Sequence, residues 1–312
     1  METTRGTAGD LTPGFLPARR EGTHMWNRIL FPTDGRDGAT AVFERVLDVA
    51  ETHDATLHVL NVADTTHDSV TRLGGDVVDV LEGEGERIVD EAGKRARERG
   101  VETVTEVLQG RVPETIATYA KRYDVDLVIM PTSGRTGLGR MVLGSVTENV
   151  IRRTTVPVLA LRPGDEEVGY PYREVLVSTD GSAGANAALE RGIGVANAHG
   201  GTLHLLSVVD VGGVASDVFS GEREAELEAE ARRTVEEAAS TARRAGVESI
   251  RESVESDADV PGAIVSYVEE NGIDLVAIGT SGRAGLEERL LGGVAETVVR
   301  TVPVPVLAVP GE

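Results

Sequence analysis

Short apolar runs alternate with longer amphipathic stretches along almost the whole chain. Ile29-Leu30-Phe31 predicts a first strand, and Pro32-Thr33-Asp34-Gly35 the turn that leaves it. Over residues 37–53 the apolar positions Ala39, Val42, Val46, Val49 and Ala50 recur near the helical period. Residues 57–62 read as a second strand and 64–83 as a linker. The charged segment 84–99, stopped by Gly100, reads as a second helix. Residues 104–108 predict a third strand, 114–123 a third helix, 125–130 a buried fourth strand, 146–153 a fourth helix and 156–161 a fifth strand.

The pattern then repeats. Ile29-Leu30-Phe31-Pro32-Thr33-Asp34-Gly35 matches Val175-Leu176-Val177-Ser178-Thr179-Asp180-Gly181 at an offset of 146, and Leu57-His58-Val59-Leu60 matches Leu203-His204-Leu205-Leu206 at the same offset. Pro113 and Gly134 match Pro261 and Gly282 at 148, so the second half gains two residues, expected in the loop before its third helix. Strands alternating with helices imply a parallel sheet with right-handed crossovers. Ligands in such sheets bind beyond the carboxyl ends of the strands, at the switch point. Asp34, Asp180 and a glycine-rich loop in each half fall there.

The first of these loops runs over residues 131–145 and has a near copy at 279–293. Strand, glycine-rich loop and helix start follow in order, and Ser145-Val146-Thr147-Glu148 reads as a capping box. Such a junction gathers free N–H groups and the positive end of a helix dipole, which suits a phosphate. The loop lacks the Lys of a Walker loop and the third Gly of the dinucleotide pattern.

Composition narrows the classes. The chain of 312 residues has length for about two α/β domains. It has no Cys, which removes disulfides, thiolate metal sites and Cys nucleophiles. No apolar run reaches the length of a membrane span and no signal pattern opens the chain, so a cytoplasmic protein is expected. A formal charge of −21 argues against nucleic acid or an anionic membrane as partner. Only Lys94 and Lys121 are lysines, leaving 29 of the 31 basic residues as Arg. That balance resembles the surface of a protein from a high-salt, halophilic cytoplasm, where self-repulsion is screened. Residues 1–24 read as a disordered extension, with Met25 an alternative start.

The pattern Gly-x2-Gly-x9-Gly-Ser/Thr after a strand, the Thr-Asp turn after strand one and a last strand reading Val-Pro-Val-Leu together resemble the universal stress protein family. The resemblance covers almost everything from Met25 to Pro310. It implies an α/β fold: two tandem Rossmann-like domains of the adenine nucleotide alpha hydrolase-like type, each a five-stranded, mostly parallel sheet flanked by helices. The expected boundaries are 25–163 and 173–312, joined by a linker over 164–172. Many members of that family bind ATP, others do not, and domains pair through their last strands. The resemblance thus implies ATP, with or without Mg2+, as ligand. It also implies intramolecular pairing of the two halves, with a homodimer as the alternative assembly and an unidentified protein partner.

Carried over by residue, the first half would use Pro32, Thr33, Asp34, Val62, Met130 and Pro131 around adenine and ribose. Gly134, Arg135, Gly144, Ser145, Val146 and Thr147 would hold the phosphates. The second half would use Thr179, Asp180, Val208, Gly279, Gly282, Gly292 and Gly293. Each half departs from the pattern. Pro131 stands where the first Gly belongs and removes an N–H donor, and Gly293 replaces the Ser/Thr. The loop before the third helix is Gln109-Gly110-Arg111 in one half and Glu255-Ser256-Asp257-Ala258-Asp259 in the other. Carboxylates there oppose a triphosphate, so the first half is expected to bind better.

His58 and His204 recur at matched places and read as semi-exposed sheet residues. The six His are scattered and predict no metal site. Ser133 and Ser281 lack a motif-placed base, so no catalytic residue is assigned. A nucleotide-binding regulator is the leading function; a slow ATPase and a non-binding scaffold are the alternatives.

Overall fold

The computed structural model describes residues 25–64, 75–132, 143–164, 169–212, 220–281 and 291–311. Both halves run β-α-β-α-β-α-β-α-β. The first contains β1 (Arg28–Pro32), α1 (Asp37–Thr52), β2 (Thr56–Ala63), α2 (Gly75–Glu98), β3 (Thr103–Gln109), α3 (Val112–Arg122), β4 (Leu127–Pro131), α4 (Ser145–Arg153) and β5 (Val158–Leu161). The second contains β6 (Glu174–Ser178), α5 (Ala183–His199), β7 (Thr202–Asp210), α6 (Ser220–Arg244), β8 (Ser249–Asp257), α7 (Val260–Asn271), β9 (Leu275–Gly279), α8 (Gly293–Thr301) and β10 (Val306–Val309).

The ten strands among the described residues form one sheet in the order β3-β2-β1-β4-β5-β10-β9-β6-β7-β8. Pairing within each half is parallel; β5 and β10 meet antiparallel, with Leu159 opposite Leu307. The two apolar last strands are each the edge of a half-sheet, and an unpaired apolar edge recruits a partner. Each finds its own repeat.

Strand alternation feeds two cores. Leu159, Leu161, Leu307 and Val309 face the layer of α1, α2, α5 and α6, whereas Val158, Ala160, Val306 and Ala308 face the layer of α3, α4, α7 and α8. Each core runs unbroken through both halves. On the second face Arg152 contacts Glu148 (2.9 Å) and Glu296 (3.1 Å), and Arg300 contacts Glu296 (2.8 Å) and Glu148 (3.6 Å). These four residues are two symmetry-matched pairs closing a ring across the seam.

Four expectations need correction. α2 begins at Gly75, not at 84. Residues 75–83 read as linker, yet the helix runs through them; inside it a Cβ at Gly85 would lie 2.5 Å from Asn61 Oδ1, so that glycine serves a close helix–strand approach. The two extra residues of the second half lengthen β8 to 9 residues against 7 in β3 rather than its loop. The N-cap of α4 is Gly144, with no side-chain cap bond, so Ser145 and Glu148 form no capping box; the Glu148 carboxylate is spent on the seam. His58 and His204 are fully buried, not semi-exposed.

Candidate functional site

Pro32 is the buried end of β1, opposite Leu60. The chain then turns. Thr33 N–H donates to Leu60 C=O (2.8 Å), Gly35 N–H to Thr33 Oγ1 (3.1 Å) and Arg36 N–H to Asp34 Oδ1 (3.1 Å). Gly35 carries φ +70, which an L-residue adopts only at a cost. Asn61 on β2 donates through Nδ2 to Thr33 C=O (2.8 Å), which ties the turn to the neighbouring strand end. The second half repeats the turn through Thr179, Asp180, Gly181 and Ser182.

Beside this turn the first half opens a cleft of about 450 Å3. Phe31 and Phe43 form its apolar floor, Thr33, Asp34 and the β2 end at Val62 one wall, and α2 the other wall through Ile88 and Ala92. Arg36 and Arg87 supply positive charge at its lining, and Asp34, Glu84 and Glu91 negative charge. The volume lies within the roughly 300–1,000 Å3 of small-molecule sites, and about half of the lining residues are polar or charged, Asp64 and Arg95 among them.

Across the switch point, Met130 is buried in the core and Pro131 ends β4. Gly144 donates its N–H to Thr132 C=O (2.5 Å), as Gly292 does to Thr280 C=O (2.9 Å). Both loops are thus closed at their far ends by one bond, and those two N–H groups are already used. Glu148 N–H reaches Gly144 C=O (3.0 Å), so among the described residues the donors left over at the α4 start are those of Ser145, Val146 and Thr147. The Thr147 hydroxyl is turned inward onto Pro131 C=O (2.8 Å) and buried, which makes it a fastener between α4 and β4. In the second half Val208 is half-buried on β7, and Gly293 opens α8. Gly134, Arg135 and Gly282 lie outside the described residues.

Gly279 has a packing role. A Cβ there would lie 2.3 Å from the carbonyl carbon of Gly184 in the first turn of α5. Gly311 enters the same place, where a Cβ would lie 2.5 Å from Ser281 Oγ. Small residues along α5 (Gly184, Ala188, Gly192) let it settle on β9. At the matched positions α1 carries Gly38, Val42 and Val46, and α1 packs less extensively on β4. Pro131, which has a Cβ, is tolerated where Gly279 is required. At the second switch point α5, β9 and the C-terminal segment therefore pack closely together.

Two features escaped the sequence reading. His58 Nδ1 meets the Tyr119 hydroxyl at 3.0 Å while Nε2 has no hydrogen-bond partner; the imidazole pKa is lowered to about 4 by burial and then by the Arg28 charge. His204 keeps the matched bond to Tyr267 (3.0 Å) but adds Glu174 at 2.8 Å, the residue that replaces Arg28. Burial lowers its pKa and Glu174 partly restores it. The second feature is at the seam, where His53 and His199 both reach Tyr170. Only their shared offset of 146 hinted at it.

Among the described residues no helix is long and apolar enough to cross a membrane, and no three His, Cys, Asp or Glu side chains cluster as metal ligands. The model of the Universal stress protein family matches residues 25–162 and 171–310. A universal stress protein of Methanocaldococcus jannaschii is 32% identical over 151 residues, 47% of this chain and 89% of the relative. Universal stress protein YxiE of Bacillus subtilis is 28% identical over 148 residues, 44% of this chain and 100% of the relative. Among solved structures, a universal stress protein from Archaeoglobus fulgidus superposes with a TM-score of 0.72 at 25% identity, covering 92% of this chain and 99% of that one.

Proposed function

The chain belongs to the universal stress protein family, and on that premise we propose that it is a nucleotide-binding regulatory protein with one working site, in its first half. The domains are 25–163 and 173–312. The first takes an adenine nucleotide, ATP, in the cleft beside the Thr33-Asp34 turn; the second is the partner that completes the sheet.

The cleft carries this reading. It is large enough for a nucleotide and lies at the strand ends where open α/β sheets bind ligands. The apolar floor of Phe31 and Phe43 suits a base, and Asp34 suits a ribose hydroxyl or a Mg2+ that accompanies the phosphates. The free N–H groups of Ser145, Val146 and Thr147, at the positive end of α4, suit phosphate oxygens. Asymmetry between the halves supports a single site. Gly279, Gly184 and Gly311 crowd the second switch point, and Glu255 and Asp257 lie at the end of β8. There the Glu255 pKa is raised by burial first and then by Glu270 and Asp257, a sign of carboxylates crowded together.

Calorimetric titration with Mg-ATP, on the intact chain and on Asp34→Ala and Asp180→Ala, tests this. One site per chain is expected, weakened at least tenfold by Asp34→Ala and unchanged by Asp180→Ala. Equal loss in both variants would put a site in each half. No heat with the intact chain would leave the scaffold reading. Phosphate release at a steady rate would replace the regulator by an ATPase.

A further inference from the structure

On the α1/α5 face of the seam three segments far apart in sequence converge on one point. Tyr170, in the connector between the halves, places its hydroxyl 2.8 Å from His53 Nε2 and 3.1 Å from His199 Nε2. The two imidazoles are repeat partners at an offset of 146, with ring centroids 5.8 Å apart. They line a small, partly open space of about 20 Å3, walled otherwise by apolar and aromatic side chains including Trp26 and Tyr172. That is room for about one small occupant.

We propose that this cluster is a site for a divalent transition-metal ion of the zinc or copper type, which latches the two halves together. Three observations carry it. First, the donors are right: two imidazole nitrogens and a phenol oxygen suit Zn2+, Ni2+ or Cu2+ rather than Mg2+ or Ca2+. Second, the spacing is nearly right. A tetrahedral ion about 2.0–2.1 Å from each donor holds its donors roughly 3.4 Å apart, so the observed 2.8 and 3.1 Å need an expansion of only a few tenths. Third, His53 caps the C-terminus of α1 and His199 ends α5, so the negative ends of two helix dipoles point at the site and favour a cation. Without an ion the phenol O–H donates to one Nε2 and accepts from the Nε2–H of the other ring. On binding, the phenol proton leaves to solvent, the second ring carries its proton on Nδ1 instead, and the phenolate is the third donor, with water completing the shell.

Trp26 is the chain's single Trp and borders the same space, which supplies an internal probe. The full chain is stripped with EDTA and carries His24→Ala and His67→Ala, so that neither of those imidazoles competes. It is titrated with Zn2+ by calorimetry and with Cu2+ by fluorescence. One ion per chain is expected, with quenching of Trp26 and a phenolate-to-copper charge-transfer band. Tyr170→Phe keeps the ring packing; it should abolish the band and weaken Zn2+ binding at least tenfold. His199→Asn should weaken it comparably. Metal-free melting curves of both variants separate loss of a ligand from loss of the fold. The inference is overturned if the stripped chain binds no stoichiometric ion. It is equally overturned if both folded variants bind as the parent does; Tyr170 is then only a hydrogen-bonded clasp. Mg-ATP binding is scored separately and bears on neither outcome.

Discussion

The buried imidazole of His58 stays neutral because water cannot reach it and because Arg28 stands beside it. Its pKa of about 4 in the folded chain lies below the ordinary 6.5. The unfolded chain therefore binds the proton first, and stability is full above pH 6.5 and lost as pH falls from 6.5 towards 4. At roughly 1.4 kcal/mol per unit the loss reaches about 3 kcal/mol. Tyr119 and Tyr123 face the ring from α3, and Glu106 on β3 meets Tyr119, while the charge that acts on the ring itself is that of Arg28 on β1. His204 resists the same loss less expensively, since Glu174 welcomes its proton. Urea midpoints at pH 7 and pH 4.5 should therefore fall more steeply for the parent than for His58→Gln. Arg28→Glu, which copies the second half, should also flatten the acid limb. Parallel acid limbs in all three chains would show that the carboxylates alone set acid stability.

At the scale of elements, one helix repeated twice behaves differently because of two or three side chains. Gly192 on α5 has no room for a Cβ, which would lie 2.4 Å from Val177 Cγ2, while α1 carries Val46 at the matched place. Gly279→Ala should accordingly destabilise the nucleotide-free chain by about 1–3 kcal/mol through overpacking against Gly184. Pro131→Ala, where a Cβ already exists, should cost much less. Urea unfolding without nucleotide checks both; an undisturbed Gly279→Ala midpoint would return that glycine to a purely ligand-binding role. The strand–helix alternation, the repeat and the Thr-Asp turns were legible in the sequence because they are local and periodic. The start of α2 was not, since the stretch up to Gly83 lacks the dense charge of the run that follows it and reads as linker. Nor was the cleft, because it forms where β1, β2, α1 and α2 meet, and no single segment encodes that meeting. The meeting of His53 with His199 follows only from the antiparallel junction of β5 and β10, which no single segment encodes.

For the whole molecule the question is what joins the halves. The ring of Glu148, Arg152, Glu296 and Arg300 is only partly buried, and such ion pairs contribute at most about 1 kcal/mol each. The apolar strands contribute more: Val158, Leu159, Val306 and Leu307 are almost wholly buried, and each such side chain stabilises by about 1.5–3 kcal/mol. Both cores also run through the seam, so neither half has a complete apolar lining at its last strand without the other. The chain should consequently unfold as one unit, with calorimetric and van't Hoff enthalpies in agreement. Val158→Glu places a carboxylate opposite Ala308 with no cation provided, at a cost of several kcal/mol. Scanning calorimetry of that variant should show the single transition split in two or moved down by many degrees. Arg152→Ala, which breaks only the ring, should leave one transition shifted by a few degrees. A Val158→Glu chain that melts as the parent does would mean that the halves are held by their connector, and that the ten-stranded sheet is dispensable.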